Sequence, residues 1–245
     1  MSEGIDEYYQ LIKQPWGRMF YDVLRKQLNI DNINRLKILD FGSGFGVTAD
    51  YYARRHEVTA VEINSEMSDK RFAENKYVQI IGGIDALADF SGGYFDVVIC
   101  HNVLEYAENR QDIFCQLAKL IKSDGIFSVI KHNALGRVMS AAVFGNNPEK
   151  ALNFLHSGQT FQYDSNSCGN GFIYDDNEIL NWAKECRLVS EKMWGIRTCW
   201  ALSQNNEIKY DDFWYRHMLE LEIAVSDMDE FKEIAFFHHF LFRKL

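Results

Sequence analysis

Short apolar runs alternate with stretches of helical periodicity along the first half of this chain. Runs at 36–41, 58–62, 78–81, 95–100 and 125–130 are four to six residues long, as expected of strands buried on both faces. Helices are expected between them at 47–55, 65–72 and 111–121. Ahead of the first strand, 16–28 places Met19, Phe20, Val23 and Leu24 at helical spacing, an amphipathic entry helix. This βαβα rhythm predicts a parallel sheet with helices on both faces.

Beyond His132 the rhythm breaks. Gly136, Gly145, Asn146-Asn147-Pro148, Gly158 and the polar stretch 166–171 mark an irregular excursion over 132–175, with room for two short helices. Order resumes with a helix at 176–186, a strand at 188–200, an amphipathic helix at 211–224 and a strand at 234–242. No internal repeat and no linker interrupts the pattern. Residues 1–245 therefore read as one domain, with an entry region over 1–35 and an insertion over 132–175.

Composition narrows the function. With 245 residues, 47 % of them hydrophobic, and only Pro15 and Pro148 as prolines, the chain has a core to bury and is not of low complexity. A formal charge of −9 gives no general attraction to phosphate backbones. Cys100, Cys115, Cys168, Cys186 and Cys199 are odd in number and scattered, with no Cys-x-x-Cys pair. Free thiols in a reducing cytoplasm, and no zinc framework, are the expectation. The stretch from Met1 to Gln10 is acidic and unlike a signal peptide, and no apolar run is long enough to cross a bilayer.

The chemistry concentrates where the first strand ends. Asp40-Phe41-Gly42-Ser43-Gly44-Phe45-Gly46 places three glycines at alternate positions, which lets the backbone approach a ligand with its N–H groups open. Val47 stands where a dinucleotide fingerprint requires its last glycine, which argues against a nicotinamide dehydrogenase. Glu62, 20 positions after Gly42, ends the second strand, where an acid can accept both hydroxyls of a ribose. Asp85 follows the third strand as either an acceptor for an adenine amine or a helix N-cap. At the end of the fourth strand His101, Asn102, Glu105 and Tyr106 lie at the sheet edge where open α/β folds bind ligands. His156 and Cys168 lack an orienting third group for nucleophilic catalysis. His238 and His239 alternate along one strand and do not share a metal, and the acidic run Glu220-Leu221-Glu222 reads as a solvated helix face.

In order and spacing, the segments 38–46, 61–64, 85–86, 95–106 and 120–125 resemble the class I S-adenosylmethionine-dependent methyltransferases over about residues 36–131. The resemblance implies a Rossmann-like, doubly wound seven-stranded sheet, with the last strand antiparallel beside the sixth and a lid inserted after strand 5. It implies S-adenosylmethionine as cofactor. Asp40, Gly42, Ser43, Gly44 and Gly46 would line its methionine end, Glu62 with Ile63 its ribose, and Asp85 with Ala86 its adenine. Either Tyr9 or Arg18 would meet the cofactor carboxylate, and His101 would face the methyl group. His101 and His132 are then the base candidates, should the acceptor need one.

A narrower likeness runs through 14–28, His132-Asn133-Ala134 and Trp194-Gly195-Ile196-Arg197. These segments are similar to the tRNA wobble-uridine 5-oxyacetic acid methyltransferases, which esterify a carboxylate. Arg197, whose guanidinium matches a carboxylate, would hold it. The excursion offers only Arg137 and Lys150 as basic residues between 134 and 175, so charge there does not support tRNA. Arg18, Arg25, Lys26, Arg54 and Arg55 remain as a patch elsewhere. Three readings stand: methylation of a small-molecule or modified-nucleoside acceptor, carboxyl methylation of a wobble uridine, or cofactor binding without catalysis. The aromatics of the excursion, Phe144, Phe154, Phe161, Tyr163, Phe172 and Tyr174, either form a water-excluding lid or anchor the loop.

Overall fold

The structure is a computed structural model that describes residues 2–33, 35–158, 160–165 and 169–245. In chain order the strands are β1 (Lys37–Phe41), β2 (Glu57–Glu62), β3 (Val78–Ile81), β4 (Phe95–His101), β5 (Ile121–His132), β6 (Phe161–Ser165), β7 (Gly169–Ile173), β8 (Leu188–Ile196) and β9 (Phe237–Lys244). The helices are α1 (Ser2–Lys13), α2 (Pro15–Leu28), α3 (Val47–Ala53), α4 (Ser65–Asp69), α5 (Arg110–Leu120), α6 (Ala134–Met139), α7 (Pro148–His156), α8 (Asp176–Glu185), α9 (Asp212–Val225) and α10 (Asp229–Lys232). Seven strands form one mixed sheet in the order β3-β2-β1-β4-β5-β9-β8, with the last strand antiparallel, as the sequence predicts. No helix among the described residues is long and apolar enough to cross a membrane.

Contacts divide the chain into two compact units. One is assembled from 29–129, 176–192 and 240–245. Here β1 pairs in parallel with β2 and β4, with Ile38 opposite Val58 and Val97, and Phe41 opposite Val61 and Cys100. β1 and β4 are almost wholly buried, which is why their sequences run apolar without alternation. Phe114 of α5 packs 4.9 Å from Phe127, 5.8 Å from Phe242 and 5.9 Å from Trp182 of α8, measured between ring centroids. These side chains dock α5 and α8 on the strands.

Here one expectation fails. Cys115 on α5 and Cys186, which follows α8, are joined in a disulfide across 71 positions, with their Cα atoms 5.8 Å apart. The pairing follows from two helices meeting in space, which leaves no trace in cysteine spacing. Cys168 lies outside the described residues.

The other unit comprises 1–28, 130–175 and 193–239. Its core gathers Met19, Phe20, Val23 and Leu24 of α2 with Ile130, Ile196, Trp200, Tyr215 and Phe237. The helical spacing of the α2 residues is thus the spacing of a buried face. Gln27 donates to the Gly195 carbonyl at 3.0 Å and lies 2.8 Å from the His239 ring, which ties α2 to the chain on either side of α9. The excursion holds α6, a π turn over Ser140–Phe144, α7 and the antiparallel β6–β7 hairpin. Phe154 stacks on Phe161 at 4.8 Å beside Ala134 and Ile173, so these two aromatics anchor the excursion. Phe144 is exposed. β8 stops at Ile196 rather than 200, because Arg197 turns into the left-handed region at φ 60°.

The disulfide yields a direct test. Cys186→Ser is expected to lower the unfolding free energy of the oxidised protein by about 2–5 kcal/mol. In dithiothreitol, wild type and variant should unfold at nearly the same denaturant concentration.

Candidate functional site

The glycine loop folds back on β2. Gly42 and Ser43 both donate their backbone N–H to the Val61 carbonyl, at 2.8 and 3.0 Å. Gly42, Gly44 and Gly46 have φ of 73°, 54° and 70°, a region that costs other residues about 1–2 kcal/mol each. Space is also closed: a Cβ at Gly42 would strike the Val103 side chain, and one at Gly46 the Tyr77 hydroxyl. The Glu62 carboxylate is buried, accepting from Gly44 N at 2.7 Å and from Asn64 N at 2.8 Å. One acid therefore fixes the loop and the start of α4, and each oxygen keeps a lone pair for a further donor.

Asp40 lies beneath this loop at 4 % exposure, with Oδ2 unpartnered; Ser43 Oγ is likewise buried without a partner. Burial lifts the Asp40 carboxyl from an ordinary 3.8 to about 7; the N–H of Ala49 opposes the shift and the Glu62 charge adds to it. The N–H groups of Gly42, Gly44 and Gly46, expected to be open, are instead taken by the Val61 carbonyl, the Glu62 carboxylate and the Ser43 carbonyl. The buried acid and buried hydroxyl beside this turn fit a ribonucleoside that carries a cationic amino-acid tail. Ile63, next to Glu62, is largely exposed. β3 leaves the sheet beside Glu62, with Gly82 N donating to the Glu62 carbonyl at 2.9 Å. The 3₁₀ turn Ile84–Leu87 follows, capped by Gly83 and not by Asp85, so the capping role expected as the alternative for Asp85 is not the one it takes. Asp85 is exposed at that turn and Ala86 half-buried. His101 ends β4 with Nε2 2.8 Å from Ser128 Oγ.

In the other unit, cations gather around His132 and Arg197. His132 is buried, and Arg137 Nη2 lies 3.3 Å from both of its ring nitrogens. Burial first, then the charges of Arg137, Lys131 and Arg197, hold the His132 pKa well below its ordinary value. The ring is therefore neutral and accepts from Arg137, which makes it a weak base. Arg197 is 7 % exposed and its guanidinium carbon lies 4.7 Å from the Trp16 ring, 5.0 Å from Phe236 and 5.8 Å from Phe237. Its Nε and Nη1 are buried and have no partner. Burial draws its pKa down to about 9, and the charge persists at neutral pH. Donors left open in such surroundings are costly unless an anion meets them.

One residue differs from its sequence reading. Glu222 is fully buried rather than on a solvated face; Thr198 N and Trp200 N donate to it at 3.0 and 2.6 Å. Its raised pKa comes from burial, opposed by those backbone donors and by Arg197. Nothing in helical periodicity marks an acid for the inner face of α9. Arg18 reaches Asp212 at 3.3 Å and Asp22 at 3.8 Å and stacks on the Tyr215 ring. Arg25 also pairs with Asp22. Arg54 and Arg55, in the unit with the glycine loop, bond to the carbonyls of Tyr51 and Asp31. Much of the anticipated basic patch is therefore already engaged. Among the described residues no group of side chains is arranged to hold a metal.

The comparisons with known proteins fall in line with this geometry. Residues 39–129 match the family model described as a methyltransferase domain. The chain is 22 % identical to the tRNA 5-carboxymethoxyuridine methyltransferase of Escherichia coli O157:H7, over 98 % of its own length and 97 % of that protein's. It is 30 % identical to the ubiquinone biosynthesis O-methyltransferase of Rickettsia canadensis, covering 79 % of this chain and 81 % of the relative. The fold matches an S-adenosylmethionine-dependent methyltransferase structure from Mesorhizobium loti with a TM-score of 0.57 at 11 % identity, over 94 % of this chain and 97 % of that one.

The buried acid sets a pH dependence. A carboxyl at about 7 keeps, between about pH 4 and 7, a proton that the unfolded chain has released, so stability falls as pH rises through that window. Asp40→Asn is expected to raise the thermal unfolding midpoint of the cofactor-free protein by about 4–8 °C at pH 8, the equivalent of about 2 kcal/mol. At pH 4 the two melting curves should nearly coincide.

Proposed function

The chain belongs to the class I S-adenosylmethionine-dependent methyltransferases and takes S-adenosylmethionine as its cofactor; on that premise we propose that it methylates a carboxylate on a flat, modified-uridine-like acceptor. The observation that carries this reading is Arg197, a buried guanidinium with Nε and Nη1 unpartnered and three aromatic rings around it. Support comes also from the similarity along nearly the whole chain to an enzyme whose name specifies a carboxymethoxyuridine.

When bound, the cofactor supplies a methyl group already activated by its sulfonium charge. Arg197 would receive one face of the acceptor carboxylate in a fork of N–H donors and fix the direction in which its oxygen points. Trp16 and Phe236 beside it would exclude water and offer ring faces to a planar base. A carboxylate is its own nucleophile, so no base has to be found. That agrees with His132, which burial and neighbouring cations make a poor base. His101, hydrogen-bonded to Ser128, has no proton to remove under this reading. An acceptor of this kind would be met in the cytoplasm.

The test pairs acceptors. Purified protein would be incubated with S-adenosylmethionine and either 5-carboxymethoxyuridine nucleoside, tRNA bearing that residue, or a catechol. A base-labile methyl ester on one of the first two is expected, and methylation of the catechol alone would sink the reading. Arg197→Met should lower kcat/KM for the carboxylate acceptor about 100-fold, the scale of losing two hydrogen bonds to a charged group, while S-adenosylmethionine affinity stays unchanged.

A further inference from the structure

The carboxylate of Glu222 is fully buried on α9, a placement that costs several kcal/mol unless its oxygens are satisfied. They are satisfied by main chain. Oε2 accepts from Thr198 N at 3.0 Å and Oε1 from Trp200 N at 2.6 Å, the two N–H groups that flank Cys199. The residue just before this pair is Arg197, with φ at 60°. A non-glycine residue in that conformation costs about 1–2 kcal/mol and persists where its surroundings dictate it. Gln27, bonded to the Gly195 carbonyl, holds the chain on the other side of the turn.

The division of labour is specific. Glu222 stands close enough for its charge to support that of Arg197, yet it spends its oxygens on backbone. Arg197 Nε and Nη1 are left without a partner. A carboxylate bonded directly to those nitrogens would fill the place of the acceptor's own. Resting on the carboxylate-acceptor reading above, we propose that Glu222 is a positioning residue. It clasps the turn after Arg197, holds the arginine in its left-handed conformation, and thereby sets affinity for the acceptor carboxylate without touching it.

Phenoxyacetate serves as a probe of the site independent of turnover. Its binding would be followed through the Nε–Hε resonance of Arg197 in nitrogen-15-labelled full-length protein, assigned by its disappearance in Arg197→Lys. Wild type should show a saturable shift. In Glu222→Gln the amide keeps one acceptor but turns an N–H group toward a backbone donor, so the dissociation constant should rise about tenfold or more. S-adenosylmethionine affinity, measured by calorimetry, should not change; that separates a local effect from a damaged fold. If Glu222→Gln fails to fold, Glu222→Asp, which keeps the charge one methylene short, takes its place with the same expectation. Equal phenoxyacetate affinity in wild type and variant would overturn the positioning role alone. A wild-type resonance indifferent to phenoxyacetate would overturn the carboxylate reading and this inference with it.

Discussion

The carbonyl of Val61 and the carboxylate of Glu62 receive the backbone N–H groups of the loop that leaves β1, and that one set of hydrogen bonds organises the unit around it. It holds Gly42 and Gly44 at positive φ, carries the chain into α3, and leaves Asp40 sealed beneath the turn with an unpartnered oxygen. The parallel pairing of β1 with β2 and β4 sets where the loop begins, and Glu62 sets where it ends. A side chain at Gly42 or Gly46 meets both forbidden dihedrals and occupied space. The shape of this loop is therefore set by main chain, the part of a protein that substitution alters least.

A different solution holds the cluster around Arg197. There the charges are side chains, and the fold manages them by stacking guanidinium groups on rings: Arg137 and Arg197 lie 5.1 and 5.0 Å from the centroid of the same Phe236 ring. Planar cations on an aromatic face lose water at lower cost than ammonium groups do. One buried and one half-buried guanidinium group can therefore be gathered near one neutral histidine.

How much of this was legible in the sequence depended on how local each signal was. The five strands from 36 to 130 and the three helices among them follow from apolar runs, and the glycine turn after β1 from three glycines at alternate positions. These features are set by neighbours in sequence. α1 was not foreseen, nor was the β6–β7 hairpin, whose strands lie in a glycine- and asparagine-rich stretch that reads as loop. The left-handed turn at Arg197 was not legible. Glu222 was misread, since helical periodicity assigns an acid between apolar residues to solvent, and only the turn packed against α9 supplies the two N–H groups that draw it inside. The Cys115–Cys186 pair was missed for the same reason.

That disulfide has a topological effect separate from stability. The chain departs after Cys115, runs through β5, the entire excursion and α8, and returns at Cys186, so the covalent ring encloses every residue from 116 to 185. A peptide bond cut anywhere inside the ring does not release a fragment. The nicked protein stays a single molecule, with the glycine loop of one piece tethered to the Arg197 segment of the other. In an oxidising setting cleavage would be invisible until a reductant arrived, and in a reducing one the same cut would part the chain in two.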